Sequence, residues 1–217
     1  MPAAPVQLAA LRQLLAERFP SAPRTAGHVL PTGIATLDTS AGGLPLSAVT
    51  EVVCAAPSCG SRLLFSQLLV ATRALRGRVA LVDLDDTFDP ASHAPDLLAH
   101  LVWVRSGTVA EALTAADILV RDANLLLVVL DLRCAAETEL RRTPATTWYR
   151  LQRAVESGDL ALVACTPRPL VPSAQLRLVL AQPQPFVALE GERAALAAAL
   201  APAVQRQRFT PALAVAG

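Results

Sequence analysis

The chain has 217 residues, 53% of them hydrophobic and 17% charged, with a net charge of +1. That is enough apolar sequence for one buried core, and too little net charge to hold long nucleic acid or a membrane surface through an overall field. No apolar run approaches the roughly 18 residues that span a bilayer, and Arg12, Glu17 and Arg18 break up the N-terminal stretch that a secretory signal would keep apolar, so a cytoplasmic protein without a membrane partner is expected.

Residues 6–19 predict an amphipathic helix. Leu8, Leu11, Leu14, Leu15 and Phe19 recur at three- and four-residue spacing, and Pro20 and Pro23 stop it. A linker follows, then Pro31-Thr32-Gly33 turning into a short helix, and a tight turn at Gly42-Gly43-Leu44-Pro45. A strand over 49–54, a loop and a helix over 62–76 come next. The strand over 78–83 is continuously apolar from Val79 to Val82 and ends in an acid, the pattern of a strand buried on both faces. A helix at 93–100, a short strand at 101–104 and a helix at 108–121 lead to the strongest strand, 125–131, which also ends in an acid. A helix at 146–156 with Gly158 as its cap precedes a strand at 160–165. The segments 177–181 and 186–189 read as a terminal antiparallel pair, and 192–207 as a closing alanine-rich helix. Strands alternating with helices imply an α/β domain with a mainly parallel central sheet flanked by helices. The expected organisation is an N-terminal helix and linker (1–30), a core (31–190) and a C-terminal helix and tail (191–217).

All nineteen basic side chains are arginines. That bears on the loop after the first core strand, Ala55-Ala56-Pro57-Ser58-Cys59-Gly60-Ser61-Arg62. A phosphate-binding loop runs Gly, four residues, Gly, Lys, Ser or Thr. In register with Gly60, Ala55 stands for the first glycine, Ser61 for the lysine and Arg62 for the Mg²⁺-holding hydroxyl. The backbone N–H groups could still cradle an anion. The lysine that contacts the β- and γ-phosphates has no substitute, and Arg62 sits one position late with a bulkier, planar head.

The order of these pieces resembles the RecA ATPase core. Pro31-Thr32-Gly33 with Leu37-Asp38, Gly42-Gly43-Leu44-Pro45, Glu51-Val52 and then the loop are similar to the opening of RecA recombinases. Asp83-Leu84-Asp85-Asp86 with Phe88-Asp89-Pro90 looks like the strand end that carries the catalytic glutamate, with Asp85 in its place. Val128-Val129-Leu130-Asp131 looks like a Walker B strand. The stretches after Asp131 and over 166–176, where RecA carries longer DNA-binding loops, are short here, and no counterpart of RecA's large C-terminal domain is expected. A short, loop-degenerate RecA relative of this kind resembles the ImuA family, which includes SulA-type proteins.

That resemblance implies a RecA-like P-loop-type core with an N-terminal helix extension. It also implies a non-catalytic accessory role in the SOS response and translesion mutagenesis. The implied partners are an ImuB-type inactive polymerase homologue and RecA. Gly60, Ser61, Arg62, Asp85 and Asp131 are then the remnant of a nucleotide site, with no catalytic residue, cofactor or metal. Leu8, Leu11, Leu15 and Phe19 form a candidate partner interface. Two rivals stay open: a weak ATPase using Arg62 and Asp85, and a SulA-type inhibitor of cell division.

Other features carry paired readings. The acids Asp83, Asp85, Asp86 and Asp131 are either a Mg²⁺- or water-activating group, or strand-end residues that are solvated or paired with Arg62 or Arg133. Cys54, Cys59, Cys134 and Cys165 fall where strand ends share one edge, but their spacing is not a ligand signature, and small buried side chains are the ordinary outcome. Trp148 and Tyr149 near Arg141, Arg142 and Arg150 either stack weakly on single-stranded DNA or belong to a helix with one buried aromatic face. The stretch 206–211 is a candidate short partner motif.

Overall fold

The computed structural model describes residues 24–25 and 28–210. The helix expected over 6–19, with its stripe of Leu8, Leu11, Leu15 and Phe19, lies outside them. In chain order the elements open with β1 (Arg24–Thr25), β2 (Val29–Leu30), α1 (Ala35–Ala41), β3 (Leu44–Pro45), β4 (Ala48–Cys54), α2 (Ser61–Ala74) and β5 (Arg78–Leu84). A 3₁₀ turn (Pro90–Ser92) leads to α3 (Pro95–Leu98), β6 (Leu101–Ser106), α4 (Val109–Leu119), β7 (Leu125–Asp131), α5 (Glu137–Arg142) and α6 (Ala145–Glu156). Then come β8 (Ala161–Thr166), β9 (Leu176–Leu180), a second 3₁₀ turn (Phe186–Glu190), α7 (Arg193–Ala198), β10 (Ala203–Gln207) and β11 (Phe209–Thr210).

One seven-stranded sheet organises the chain in the order β10-β9-β4-β8-β7-β5-β6. Every neighbouring pair in it is parallel except β10 with β9. This is the expected α/β architecture, a mainly parallel sheet flanked by helices. The continuous apolar runs are explained by burial on both faces. Val52, Val79, Leu81, Leu127, Val129 and Val163 face one core with α1 and α2. Val49, Ala80, Val82, Val128, Leu130 and Leu162 face the other, with α4 and α6. Successive residues alternate between the two cores, as the strand period of two requires.

Local chemistry sets the helix boundaries. Helix α2 starts at Gly60, whose φ of 86° suits a residue without Cβ, and it buries Leu64, Phe65, Leu68, Leu69 and Thr72 along one stripe. Helix α4 starts at Thr108, whose hydroxyl accepts from the Glu111 N–H at 3.2 Å while Glu111 returns to accept from the Gly107 N–H at 3.0 Å. That resembles a capping box, with the return bond reaching one residue before the N-cap.

The C-terminal third differs from expectation. Leu176–Leu180 is a strand, but it pairs in parallel with β4. The stretch expected as its antiparallel partner is the 3₁₀ turn, which the chain enters through Pro183 and Pro185 with Pro185 at its N-cap. The helix expected over 192–207 ends at Ala198, and Pro202 blocks its continuation. The chain then forms β10, the actual antiparallel partner of β9. The helix expected over 93–100 starts only at Pro95, in the first-turn position that proline favours, and spans the single turn Pro95–Leu98. The sequence reading passed over α5 altogether. Gly158 is not in a left-handed conformation; Ser157 caps α6, and the Gly158 N–H bonds the Val155 carbonyl at 3.0 Å.

The connection over 167–175 is short. It carries the chain from the end of β8 back to the start of β9 with no helix, where parallel crossovers generally take about a dozen residues or more. Glu51, 0% exposed on the central strand β4, holds it. Its carboxylate accepts from the Leu170 N–H at 2.5 Å, the Val171 N–H at 3.0 Å, the Thr166 hydroxyl at 3.1 Å and Arg177 Nε at 2.5 Å. Among the described residues no helix is long and apolar enough to cross a membrane.

Candidate functional site

Five of the singled-out residues, Ser61, Arg62, Asp83, Asp131 and Arg133, come together beside the loop after β4. Strands β5 and β7 run side by side with Asp83 opposite Asp131 at their ends. Two buried carboxylates in register repel unless cations stand between them. Arg62, from the first turn of α2, supplies one cation: its Nη2 lies 3.3 Å from Asp131 Oδ2 and 3.8 Å from Asp83 Oδ1, and it donates to the Thr87 hydroxyl. Arg133 supplies the other. It grips Asp131 with Nε at 2.8 Å and Nη2 at 2.7 Å, and its Nη1 donates to the Ser61 hydroxyl at 2.7 Å.

The network leaves little spare capacity. Asp83 is fully buried and accepts from the Thr87 hydroxyl at 3.0 Å, the Phe88 N–H at 2.8 Å and Trp103 Nε1 at 3.2 Å. Burial works against the charge on Arg133, yet its hydrogen bonds to Asp131 carry its pKa above the ordinary arginine value. Of the paired readings for the acids, Asp83 and Asp131 take the arginine-paired one. Asp85 stands apart: it is exposed, has a φ of 70°, and makes no ion pair with Arg62 among the described residues. Asp86 is exposed and pairs with Arg105 at 3.3 Å.

The C-terminal segment covers the loop. The Ala55 N–H bonds the Leu180 carbonyl at 3.0 Å, and the Gln184 N–H bonds the Ser58 carbonyl at 2.9 Å. A Cβ built on Gly60 would stand 2.5 Å from Leu200 Cδ2. The Thr36 hydroxyl donates to the Leu200 carbonyl at 2.7 Å, fixing that segment from the other side. Sequence reasoning missed Gln184 and Leu200. Pro202, which ends the helix before β10, was the available signal.

Three of the four cysteines meet beneath the loop. Cys54 lies in hydrogen-bonding reach of both Cys59 and Cys165, while Cys134 is exposed. The Cys165 thiol and burial push the Cys54 pKa up, and the Cys54 thiol and burial push that of Cys59 up, so both are held as neutral thiols. No group of three or more His, Cys, Asp or Glu that could hold a metal ion occurs among the described residues.

The aromatic–basic expectation is corrected. Trp148 is only 3% exposed and packs in the core with Leu151 and Val155, so it presents no face for stacking. Arg141 pairs with Glu137 at 2.6 Å and Arg150 with Asp117 at 3.3 Å. Arg142 lines a groove of about 550 Å³ with Thr108, Leu113, Pro144 and Arg150. No family model matches the sequence.

Proposed function

We propose that the chain is a non-catalytic, RecA-like accessory protein of the SOS response and translesion mutagenesis. On this reading it is an adaptor for an ImuB-type polymerase homologue, for RecA, or for both. The family reading rests on the sequence resemblance. The non-catalytic reading rests on one observation: the Arg62 guanidinium stands against Asp131 and Asp83. In a working P-loop site, the residue at this position and the Walker B acid hold Mg²⁺. Here a permanent protein cation takes that charge role. Arg133 occupies Ser61, the lysine's position, through a hydrogen bond. An arginine cannot give up its place as a hydrated ion does, since displacing it would leave two buried carboxylates short of a partner.

The rival ATPase would use Arg62 with Asp85. It is disfavoured because Arg62 is committed to Asp83, Asp131 and Thr87. Two titrations test the proposal. Calorimetry with Mg-ATP is expected to show no saturable heat, beside a RecA control that does. Titration with purified ImuB-type protein and with RecA is expected to show a saturable complex with at least one. Binding of Mg-ATP overturns the non-catalytic reading, and failure to bind either protein overturns the adaptor reading.

A further inference from the structure

The groove between helix α4 and the corner joining α5 to α6 encloses about 550 Å³, a volume within the range of small-molecule sites. None of its lining residues belongs to the network around Arg62 and Arg133. Its floor is apolar. Val109 and Leu113, from successive turns of α4, are 4% and 7% exposed, and Pro144 lines the groove from the α5–α6 corner.

The rim is polar and carries unused donors. Arg142, the last residue of α5, is exposed and has no hydrogen bond or ion pair among the described residues. The Thr147 hydroxyl, on half-buried Thr147 of α6, has none either. Arg150, one turn beyond Thr147, shares its carboxylate: Asp117 Oδ1 meets Arg150 Nε at 3.3 Å and Arg121 Nη2 at 3.1 Å. Glu139, the one carboxylate among the lining residues, already accepts from the Val109 N–H at 3.3 Å. Arg121, Arg142 and Arg150 thus stand against Asp117 and Glu139, which leaves one positive charge in surplus beside an apolar recess.

We propose that this groove binds a small amphipathic carboxylate. Arg142 and the Thr147 hydroxyl take the carboxylate, and the apolar body lies over Val109, Leu113 and Pro144. A guanidinium fork matches the two oxygens of a carboxylate, and the hydroxyl supplies one further donor. A single surplus charge suits a carboxylate better than a phosphate monoester, which carries nearly two. A wholly apolar ligand has no use for Arg142, and a bare anion leaves the floor in water. The site is independent of the adaptor reading and stands or falls without it.

The test is titration of the full chain with decanoate, read from the methyl resonances of Val109 and Leu113, with 1-decanol and acetate as comparison ligands. Saturable shifts of these methyls by decanoate are expected, with 1-decanol binding more weakly and acetate having no effect. Arg142→Gln is expected to weaken decanoate binding roughly tenfold, as loss of one hydrogen bond to a charged group does, and to leave 1-decanol unchanged. Arg141 already pairs with Glu137 at 2.6 Å, so Arg141→Gln is expected to change nothing. Ala110 is an exposed lining residue, so Ala110→Phe fills the groove without disturbing the core and is expected to abolish binding of both ligands. An absent decanoate response overturns the proposal, as does binding that Ala110→Phe leaves intact. So does acetate or 1-decanol bound as tightly as decanoate, an unaffected Arg142→Gln, or an equal loss from Arg141→Gln.

Discussion

Glu51 and Arg177 stand opposite each other on the adjacent parallel strands β4 and β9, with Arg177 Nε 2.5 Å from Glu51 Oε2. Both are buried, and the same carboxylate holds the Leu170 and Val171 N–H groups while Arg177 Nη2 donates to the Val171 carbonyl at 3.0 Å. The pair therefore does more than join two strands. It satisfies the backbone of a crossover that has no helix to do so. Glu51→Ala strands a buried guanidinium and two backbone donors, and is expected to cost about 3–5 kcal/mol. Urea denaturation checks this. A loss under about 1 kcal/mol, the level of an ordinary surface pair, would show that the carboxylate is dispensable.

The loop network makes a prediction opposite to simple motif repair. On the proposed P-loop register, Ser61→Lys puts back the lysine; it removes the hydroxyl that accepts from Arg133 Nη1 at 2.7 Å and brings a second cation into the same site. Like charges brought together in a partly buried site repel. Ser61→Lys is expected to destabilise the fold, and Arg133→Ala in the same chain to relieve part of that loss. The expected coupling is about 1–3 kcal/mol in a double-mutant cycle. Additive losses would show that Arg133 does not hold the lysine's place.

The parallel core was legible because its strands are buried on both faces. The runs 78–83 and 125–131 have nowhere to sit except inside a covered sheet, and their terminal acids, Asp83 and Asp131, meet as register partners. The arginine pairing of those acids was one of two readings the sequence left open, and only geometry chose between them. The C-terminal third was not legible, since the alanine run preceding β10 has high helix propensity while its fate is set by Pro202 and by the free edge of β9. Which of its two readings Trp148 takes was not legible for a related reason. Neighbouring arginines in sequence say nothing about which side of a helix an aromatic takes, and Leu151 and Val155 at three- and seven-residue spacing turn it inward.

Gly60 joins the loop to the segment that covers it. Its φ of 86° disfavours any side chain, and an added Cβ meets Leu200 Cδ2 at 2.5 Å. Gly60→Ala is expected to cost about 1–3 kcal/mol, from backbone strain with a contribution from the clash. Leu200→Ala alone removes a buried side chain and is expected to cost about 2–5 kcal/mol. Leu200 is flexible at its tip and the φ strain remains after truncation, so the double variant is expected to recover only a minor part of the Gly60 loss. Thermal unfolding of the three variants checks the cycle, and full recovery would assign the cost to the clash alone.

His93 and His100 set the pH dependence in the range where carboxylates are silent. His100 is buried against helix α2, with Nε2 3.3 Å from the Thr72 hydroxyl, and His93 Nε2 lies 2.9 Å from the Ser66 hydroxyl. Burial lowers the pKa of both below the ordinary 6.5. A histidine whose folded pKa is depressed takes up its proton later in the folded chain than in the unfolded one. Its stabilising contribution is present above the unfolded pKa and is lost as pH falls through the folded value. Stability is therefore expected to hold from pH 8 to about pH 7 and to fall between about pH 6.5 and 5. The lowered carboxylates of Asp122 and Glu137 act only below that window. Replacing both histidines with glutamine is expected to lower overall stability and flatten the profile between pH 7 and 5. Denaturant midpoints across the series check this, and an unchanged slope in the double variant would assign the acid sensitivity to other groups.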